Sequence, residues 1–449
     1  MVVLARLLTP DEIGIFAIAT AILAIGHVFR DMGIAQYLII EKDLTKEKIE
    51  AVLFLNWLAC IFLAVLLVAA GDYASEFYNN EILTDIFAVL ALNIIFIPLG
   101  TVAQSQIRRQ MRFKRLAFIE NCSLFVNVVL SIILALQDFG AMSLAYASLA
   151  GTITTLVLLH FLMPTKQFYI PNPKALKIVS PFIFNVGGAN FLAQFTNSSQ
   201  AILVGKFLSE SAVAILDKAG ALIQLLDRLI FGAIQPVLTP FFANLKHNNQ
   251  DSTKAYLTLV QISIAFAWPF LFYLAYFADY LIPLFYGDQW HDAIELVIYL
   301  CLAGGCINFS RFFDTFLIST GSQKIVFKLN LLFMIIRVLL LVVYSSYGLV
   351  FIVKVLGLFE VFKSVVTTFY LTSKLSFKLT EFISQVFKGI VVLLMSLLPL
   401  LIVELVSIEL HTLLSFSLYV LIVCPFWLLG LKVTSNPLFK EVAVYLKKR

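Results

Sequence analysis

From Ile13 to Leu429 the chain is a succession of apolar stretches of roughly 20 residues, each closed by a short polar break. Laid out as an α-helix, a run of that length matches the ~30 Å hydrocarbon core of a bilayer. Backbone N–H and C=O groups in lipid need internal partners, so only helices and closed barrels span membranes. These runs are continuous blocks of Leu, Ile, Val and Phe, without the alternation of a barrel strand, so helices follow. Composition agrees: 61% of the 449 residues are hydrophobic and 13% are charged, where a soluble domain carries about a quarter charged. The sequence therefore describes an all-α polytopic membrane protein.

The spans read as 13–38, 50–70, 83–107, 116–136, 142–163, 178–204, 212–244, 255–277, 293–318, 325–345, 348–371, 383–405 and 412–432, preceded by a stub at 1–5. Taken alternately, the connections divide into two sets. One reads EKDLTKEK, RRQMRFKR, PTKQFYIPNPKALK, KHNNQDSTK, GSQK, TSKLSFK and the tail LKKR, and holds most of the Lys and Arg. The other reads RLLTPDE, GDYASEFYNNEILTD, QDFGA, KFLSES, ADYLIPLFYGDQWHD, SSYG and SIELH, and holds only Arg6 and Lys206. Positive charge marks the cytoplasmic side of a span, so the first set and the C-terminus face the cytoplasm. The same asymmetry accounts for the net charge of +5. The basic run Arg108–Arg115 is then a topology anchor, and no nucleic-acid partner is expected. Cys60, Cys122, Cys301, Cys306 and Cys424 all lie inside apolar runs, with no CxxC or Cys/His spacing that implies a metal or disulfide framework.

The chain repeats internally. "ARLLTPDEIGIFAIATAI" from Ala5 parallels "GKFLSESAVAILDKAGAL" from Gly205. "LSIILALQDFGAMSLAYASLAG" from Leu130 parallels "LLLVVYSSYGLVFIVKVLGLFE" from Leu339, aligned on Gly140 and Gly348. This gives an N-lobe at 1–175, a C-lobe at 176–378, two further helices at 379–433 and a tail at 434–449. Parallel repeats are a transporter architecture in which substrate sits between the halves. A complete helix, 178–204, precedes Lys206, whereas four apolar residues and Ala5 precede Arg6. The expectation is that the first helix lacks about 15–20 residues of a full span.

"LARLLTPDEIGIFAIATAILAIGHVFRDMGIAQYLI" resembles the helix 1–2 signature of polysaccharide-exporting flippases of the multidrug/oligosaccharidyl-lipid/polysaccharide (MOP) superfamily, of the O-antigen, capsule and colanic-acid type. "RQMRFKRLAFIE" is similar to that family's basic loop entering helix 5, "PVLTPFFANL" to its helix 8 exit, and "PLFYGDQW" to its loop before helix 10. The resemblance implies two pseudo-symmetric six-helix lobes plus two C-terminal helices, fourteen spans with the first truncated here. It implies a flippase moving undecaprenyl-pyrophosphate-linked oligosaccharide across the bacterial inner membrane, driven by an H⁺ or Na⁺ gradient and without a cofactor. Polysaccharide polymerase or ligase machinery would be its partner.

Intramembrane ionisable and amide groups mark the work of such a protein, because they are costly in lipid and face cavities. Asp217, Gln224, Arg228 and Gln235 are spaced seven, four and seven apart, which aligns them on one helix face to within about 20° to 40° per step. That stripe suits a wet groove for sugars and a pyrophosphate, or a seam satisfied by a neighbouring helix. Arg30 and Asp31 lie at a depth similar to Arg228 in the matching repeat. Guanidinium binds phosphate bidentately, so Arg30 and Arg228 read as a pyrophosphate clamp, with a local Arg30–Asp31 pair as the alternative. Asn190, Gln194 and Asn197 share a face and are either sugar partners or interhelical glue. Arg311 and Asp314 read as an i,i+3 pair, and Arg337 needs a partner from another helix or from substrate. Glu120 reads as a partner of Arg112 or Arg115. Asp31, Asp217, Asp314 and Glu360 are the carboxylates that suit a coupling ion. Pro236 and Pro240 should bend helix 8 near its cytoplasmic end.

Two other classes compete. A small-molecule cation antiporter of the same superfamily would have an acidic cavity, whereas the charge here is mixed. A polymerase or ligase needs a catalytic site outside, and the outer connections are short, with only Asp288 and His291 near such a constellation. No GxxxxGK loop is present, which excludes intrinsic ATP drive.

Overall fold

A computed structural model of the chain describes residues 2–31, 37–38, 45–162, 173–232, 252–319, 321–375, 379–405 and 413–439, with scattered positions between 234 and 250. These residues form helices and turns, with no strand among them. In chain order the helices are α1 (Val2–Leu7), α2 (Pro10–Asp31), α3 (Lys46–Tyr78), α4 (Ile82–Phe96), α5 (Pro98–Arg109), α6 (Phe113–Ala135), α7 (Met142–Leu162), α8 (Pro173–Phe207) and α9 (Glu210–Leu226). A π turn at Asp227–Phe231 follows. Then come α10 (Ser252–Tyr276), α11 (Ala278–Tyr286), α12 (Ala293–Ile307), α13 (Phe313–Ser319), α14 (Gln323–Tyr344), α15 (Leu349–Leu375), α16 (Leu379–Leu405) and α17 (Leu413–Val433). Six described helices are long and apolar enough to cross a membrane, and the pair α4–α5 makes a seventh span bent by 50°. The bend has a covalent cause. Pro98 has no N–H to donate, the Ile97 N–H turns to Ile94 at 3.1 Å, and the Thr101 hydroxyl donates to the Ile97 carbonyl at 3.1 Å.

The described helices belong to two compact units, Met1–Ile215 with Leu341–Leu349, and Leu216–Leu340 with Val350–Arg449. In the first, α2 packs on α3 and α8, α3 on α4, and α6 on α7. Its core joins Leu23, Leu63, Leu67, Phe87, Leu90 and Ile94. In the second, α10 packs on α12 and α16, and α16 on α17. There the Trp427 indole donates to the Ala265 carbonyl at 2.9 Å, and the hydroxyls of Tyr419 and Tyr273 meet at 3.1 Å. Large apolar side chains such as Phe62, Phe125, Phe161 and Phe369 are exposed. On helices of this length they form a lipid-facing surface.

The sequence repeat has a structural counterpart. Thr9 caps α2 as a capping box, its N–H donating to Glu12 Oε2 at 2.8 Å and its hydroxyl accepting from the Glu12 N–H at 3.3 Å. Ser209, its equivalent, accepts from the Ala212 N–H at 3.0 Å at the start of α9. Gly140 and Gly348, the second aligned pair, both adopt positive φ, 52° and 90°, just before α7 and α15.

In the first unit the ends of α3 and α8 and the start of α9 are drawn tightly together. The Tyr78 hydroxyl donates to the Ile202 carbonyl at 3.0 Å, and the Asn80 amide donates to both Glu210 carboxylate oxygens at 3.0 Å. Lys206 donates to the Phe77 carbonyl and lies 3.9 Å from that ring's centre. A Cβ at Gly14 would sit 1.9 Å from the Glu210 carbonyl oxygen, so glycine is what admits this approach. Burial pushes the Glu210 carboxyl above its ordinary range, Asp11 adds to the rise, and the Asn80 hydrogen bonds oppose it.

Candidate functional site

In the second unit Asp217 and Gln224 of α9 and Arg228 of the π turn are exposed, while Lys218, Leu222 and Leu226 between them are buried. The Arg228 guanidinium donates to Gln224 Oε1 at 3.1 Å, one turn away. Asp217 pairs with Lys218 at 3.7 Å, and the buried Lys218 ammonium lies 5.6 Å from the centre of the Trp290 ring. Nothing in the spacing singles out Lys218, because it lies off the polar stripe. Gln235, Pro236 and Pro240 lie outside the described residues. So do the side chains of Arg30, Asp31, Asn190 and Asn197, whose backbones are helical. Gln194 in α8 donates to Ser198 of its own helix at 3.0 Å.

The span expected at 293–318 is broken between α12 and α13. "CLAGGCINFSRFF" explains the break, since paired glycines are followed by Asn308 and Ser310. The Asn308 amide donates back to Gly304 at 2.7 Å, and the Ser263 hydroxyl donates to Asn308 Oδ1 at 2.8 Å. Trp268 donates to the Gly305 carbonyl at 3.0 Å and Tyr256 to that of Phe309 at 3.4 Å. Side chains of α10 thus supply partners that the interrupted ladder cannot.

The break overturns the expected Arg311–Asp314 pair. Arg311 Nε donates to Asn308 Oδ1 at 2.8 Å, its Nη1 contacts the carboxylate of Asp227, and its plane lies 3.9 Å from the Phe231 ring centre. Asp314 instead accepts from Asn330 of α14 at 3.1 Å. Asp227 is the functional candidate that sequence reasoning missed. It stands ten residues from Asp217, off the aligned stripe, at the first position of the π turn.

Arg337 finds the partner from another helix that its position demanded. It pairs with Glu360 of α15 at 3.8 Å, and Glu360 also takes Lys363 at 3.5 Å. One carboxylate thus serves two cations. Nearby in sequence, Lys354 pairs with Glu295 at 3.7 Å over the Tyr299 ring. Glu120 pairs with Arg108 at 3.7 Å rather than with Arg112 or Arg115.

Long apolar helices, two of their spans bent or broken, give an all-helical membrane protein, and its fold is of MOP type. A lipid II flippase MurJ in an inward closed conformation aligns with a TM-score of 0.74 at 13% identity, over 98% of this chain and 96% of that one. An inward-facing multidrug resistance MATE transporter of the MOP superfamily aligns at 0.68 and 16% identity, over 84% and 92%. The chain belongs to the polysaccharide biosynthesis protein family, whose model matches residues 3–295. The succinoglycan biosynthesis transport protein ExoT of Rhizobium meliloti (strain 1021) is 22% identical over 325 residues, 72% of this chain and 66% of that relative's length. The teichuronic acid biosynthesis protein TuaB of Bacillus subtilis (strain 168) is 24% identical over 293 residues, 62% of this chain and 58% of that relative. The chain thus spans just under two thirds of the one and less of the other. Of these, ExoT is a transport protein, MurJ a flippase and the MATE protein a multidrug resistance transporter of the MOP superfamily.

Proposed function

We propose that the protein is a flippase that carries undecaprenyl-pyrophosphate-linked oligosaccharide repeat units from the cytoplasmic to the periplasmic leaflet of the bacterial inner membrane. The carrier works by alternating access coupled to an H⁺ or Na⁺ gradient, and hands its product to polysaccharide polymerase or ligase machinery. Family membership gives the polysaccharide class. The observation that carries the reading further is the exposure of Asp217 and Gln224 on α9 and of Arg228 in the π turn. In an apolar chain, those side chains offer amide and carboxylate partners for sugar hydroxyls and a guanidinium for phosphate. Arg30, Asp31, Asn190, Gln194, Asn197 and Gln235 are proposed as further substrate-binding residues on the sequence pattern alone. Arg311, Asp314 and Arg337 are proposed as substrate-binding residues of the second unit. The C-terminus lies in the cytoplasm in this reading, as the distribution of Lys and Arg requires.

The test is mass spectrometry of lipids that co-purify with the detergent-solubilised protein. The expected result is an undecaprenyl-pyrophosphate glycan retained by the wild type and lost from Arg228→Ala. Bulk phospholipid alone in both would sink the lipid-linked substrate and favour an antiporter.

A further inference from the structure

The π turn after α9 and the break between α12 and α13 are two departures from helical geometry in one unit, and the ion pair Arg311–Asp227 joins them. Each departure is otherwise a cost. A π turn forfeits regular i→i−4 bonds, and a break in a span exposes carbonyls. The protein keeps both and builds around them. Asn308 is fully buried and fixes Arg311 Nε at 2.8 Å, while Ser263 holds Asn308 in turn at 2.8 Å. The Phe231 ring, itself part of the π turn, supports the face of the guanidinium at 3.9 Å and packs edge-on against Phe312. Arg311 is thus held on two sides, at Nε and on its face, with its side chain only 16% exposed, whereas Asp227 is 49% exposed. The immobile partner is the cation and the accessible one is the anion.

We infer that Arg311 is an anion seat, held here by the Asp227 carboxylate, and that a diphosphate displaces Asp227 from it. A guanidinium held rigidly with its Nη edge presented binds carboxylate and phosphate oxygens by the same forked geometry, so the two compete for one position. Asp227 serves as an internal counter-ion. It neutralises a cation that would otherwise stand uncompensated at membrane depth, and it sets a threshold that only a multiply charged ligand exceeds. The inference rests on the flippase reading for the identity of the diphosphate, but the seat itself is a property of this chain's side chains.

Binding of inorganic pyrophosphate and of farnesyl diphosphate to the full-length protein in detergent tests it, with melting temperature recorded for each variant. Asp227→Asn removes the competitor and should tighten pyrophosphate binding at least tenfold. Arg311→Gln should abolish it, and Arg311→Lys, which lacks the fork, should weaken it at least tenfold. Tighter binding of farnesyl diphosphate than of pyrophosphate would assign the seat to a lipid-linked ligand, and the reverse order to a free one. Unchanged or weaker binding in a normally melting Asp227→Asn, or no binding in any variant, overturns the seat. Should Asp227→Asn melt early, Asp227→Ser takes its place under the same criterion. The two readings fail separately. A lipid-linked glycan that co-purifies without pyrophosphate binding removes only the seat, and tight pyrophosphate binding without such a glycan removes only the lipid-linked substrate.

Discussion

The Glu360 carboxylate stands 3.8 Å from Arg337 of the preceding helix and 3.5 Å from Lys363 of its own. Arg337 could be read from its position as a cation in need of a partner. No helical period links positions 337 and 360, so only packing reveals the pair. Arg311 shows the opposite. The i,i+3 spacing to Asp314 holds only for an unbroken helix, and the Gly304–Gly305–Asn308 stretch that ends the helix is visible in the sequence, set against the apolar run around it. Glu360 also offers a prediction. It neutralises Arg337 and Lys363 together, so Glu360→Gln leaves two cations near the middle of their helices. Arg337→Gln leaves the Lys363–Glu360 pair intact. Removing one member of a buried ion pair costs about 3–5 kcal/mol, and partial exposure brings the expected loss for Glu360→Gln to about 2 kcal/mol. Thermal unfolding in detergent should therefore show Glu360→Gln melting clearly below Arg337→Gln. Equal melting temperatures would mean that the two cations find other neutralisation.

At the scale of helices, the long apolar runs were readable because burial in lipid demands a minimum length and uniform hydrophobicity. The interruptions were harder, since one or two residues decide them: Pro98 for the bend between α4 and α5, and the glycine pair for the break after α12. At the aligned positions Thr9 and Ser209 cap helices and Gly140 and Gly348 take the positive φ that other residues avoid. Glu210 gives this scale its pH dependence. Burial raises its carboxyl above the ordinary value, with Asp11 adding to the rise. The folded state therefore holds that proton more tightly than the unfolded chain does. Its contribution to stability is full below the unfolded value and is lost as pH rises through the raised one. Glu210→Gln keeps an acceptor for Asn80 and removes the buried charge. It should raise the melting temperature at neutral pH, with the gain shrinking to nothing as pH falls through the carboxylate range. A gain independent of pH would show that charge is not its cause.

For the whole molecule, composition and the alternation of Lys and Arg define the membrane class, and the matched family and fold agree with it. The substrate path is less legible, because a polar stripe on one helix states what a groove can bind but not which helices close it. The stripe was readable from spacings of seven and four, and the structure exposes Asp217, Gln224 and Arg228. Asp227, at the first position of the π turn, was not, since it lies off that spacing. The central claim is that this chain moves a lipid-linked glycan between leaflets. Its most direct test is depletion of the protein in its native cell, followed by extraction and quantitation of undecaprenyl-pyrophosphate glycans and measurement of their accessibility from each side of the membrane. The account predicts that repeat-unit intermediates accumulate on the cytoplasmic face while surface polysaccharide falls, and that an Arg228→Ala copy fails to reverse either change. Intermediates that stay at their normal level, with surface polysaccharide intact, would contradict it.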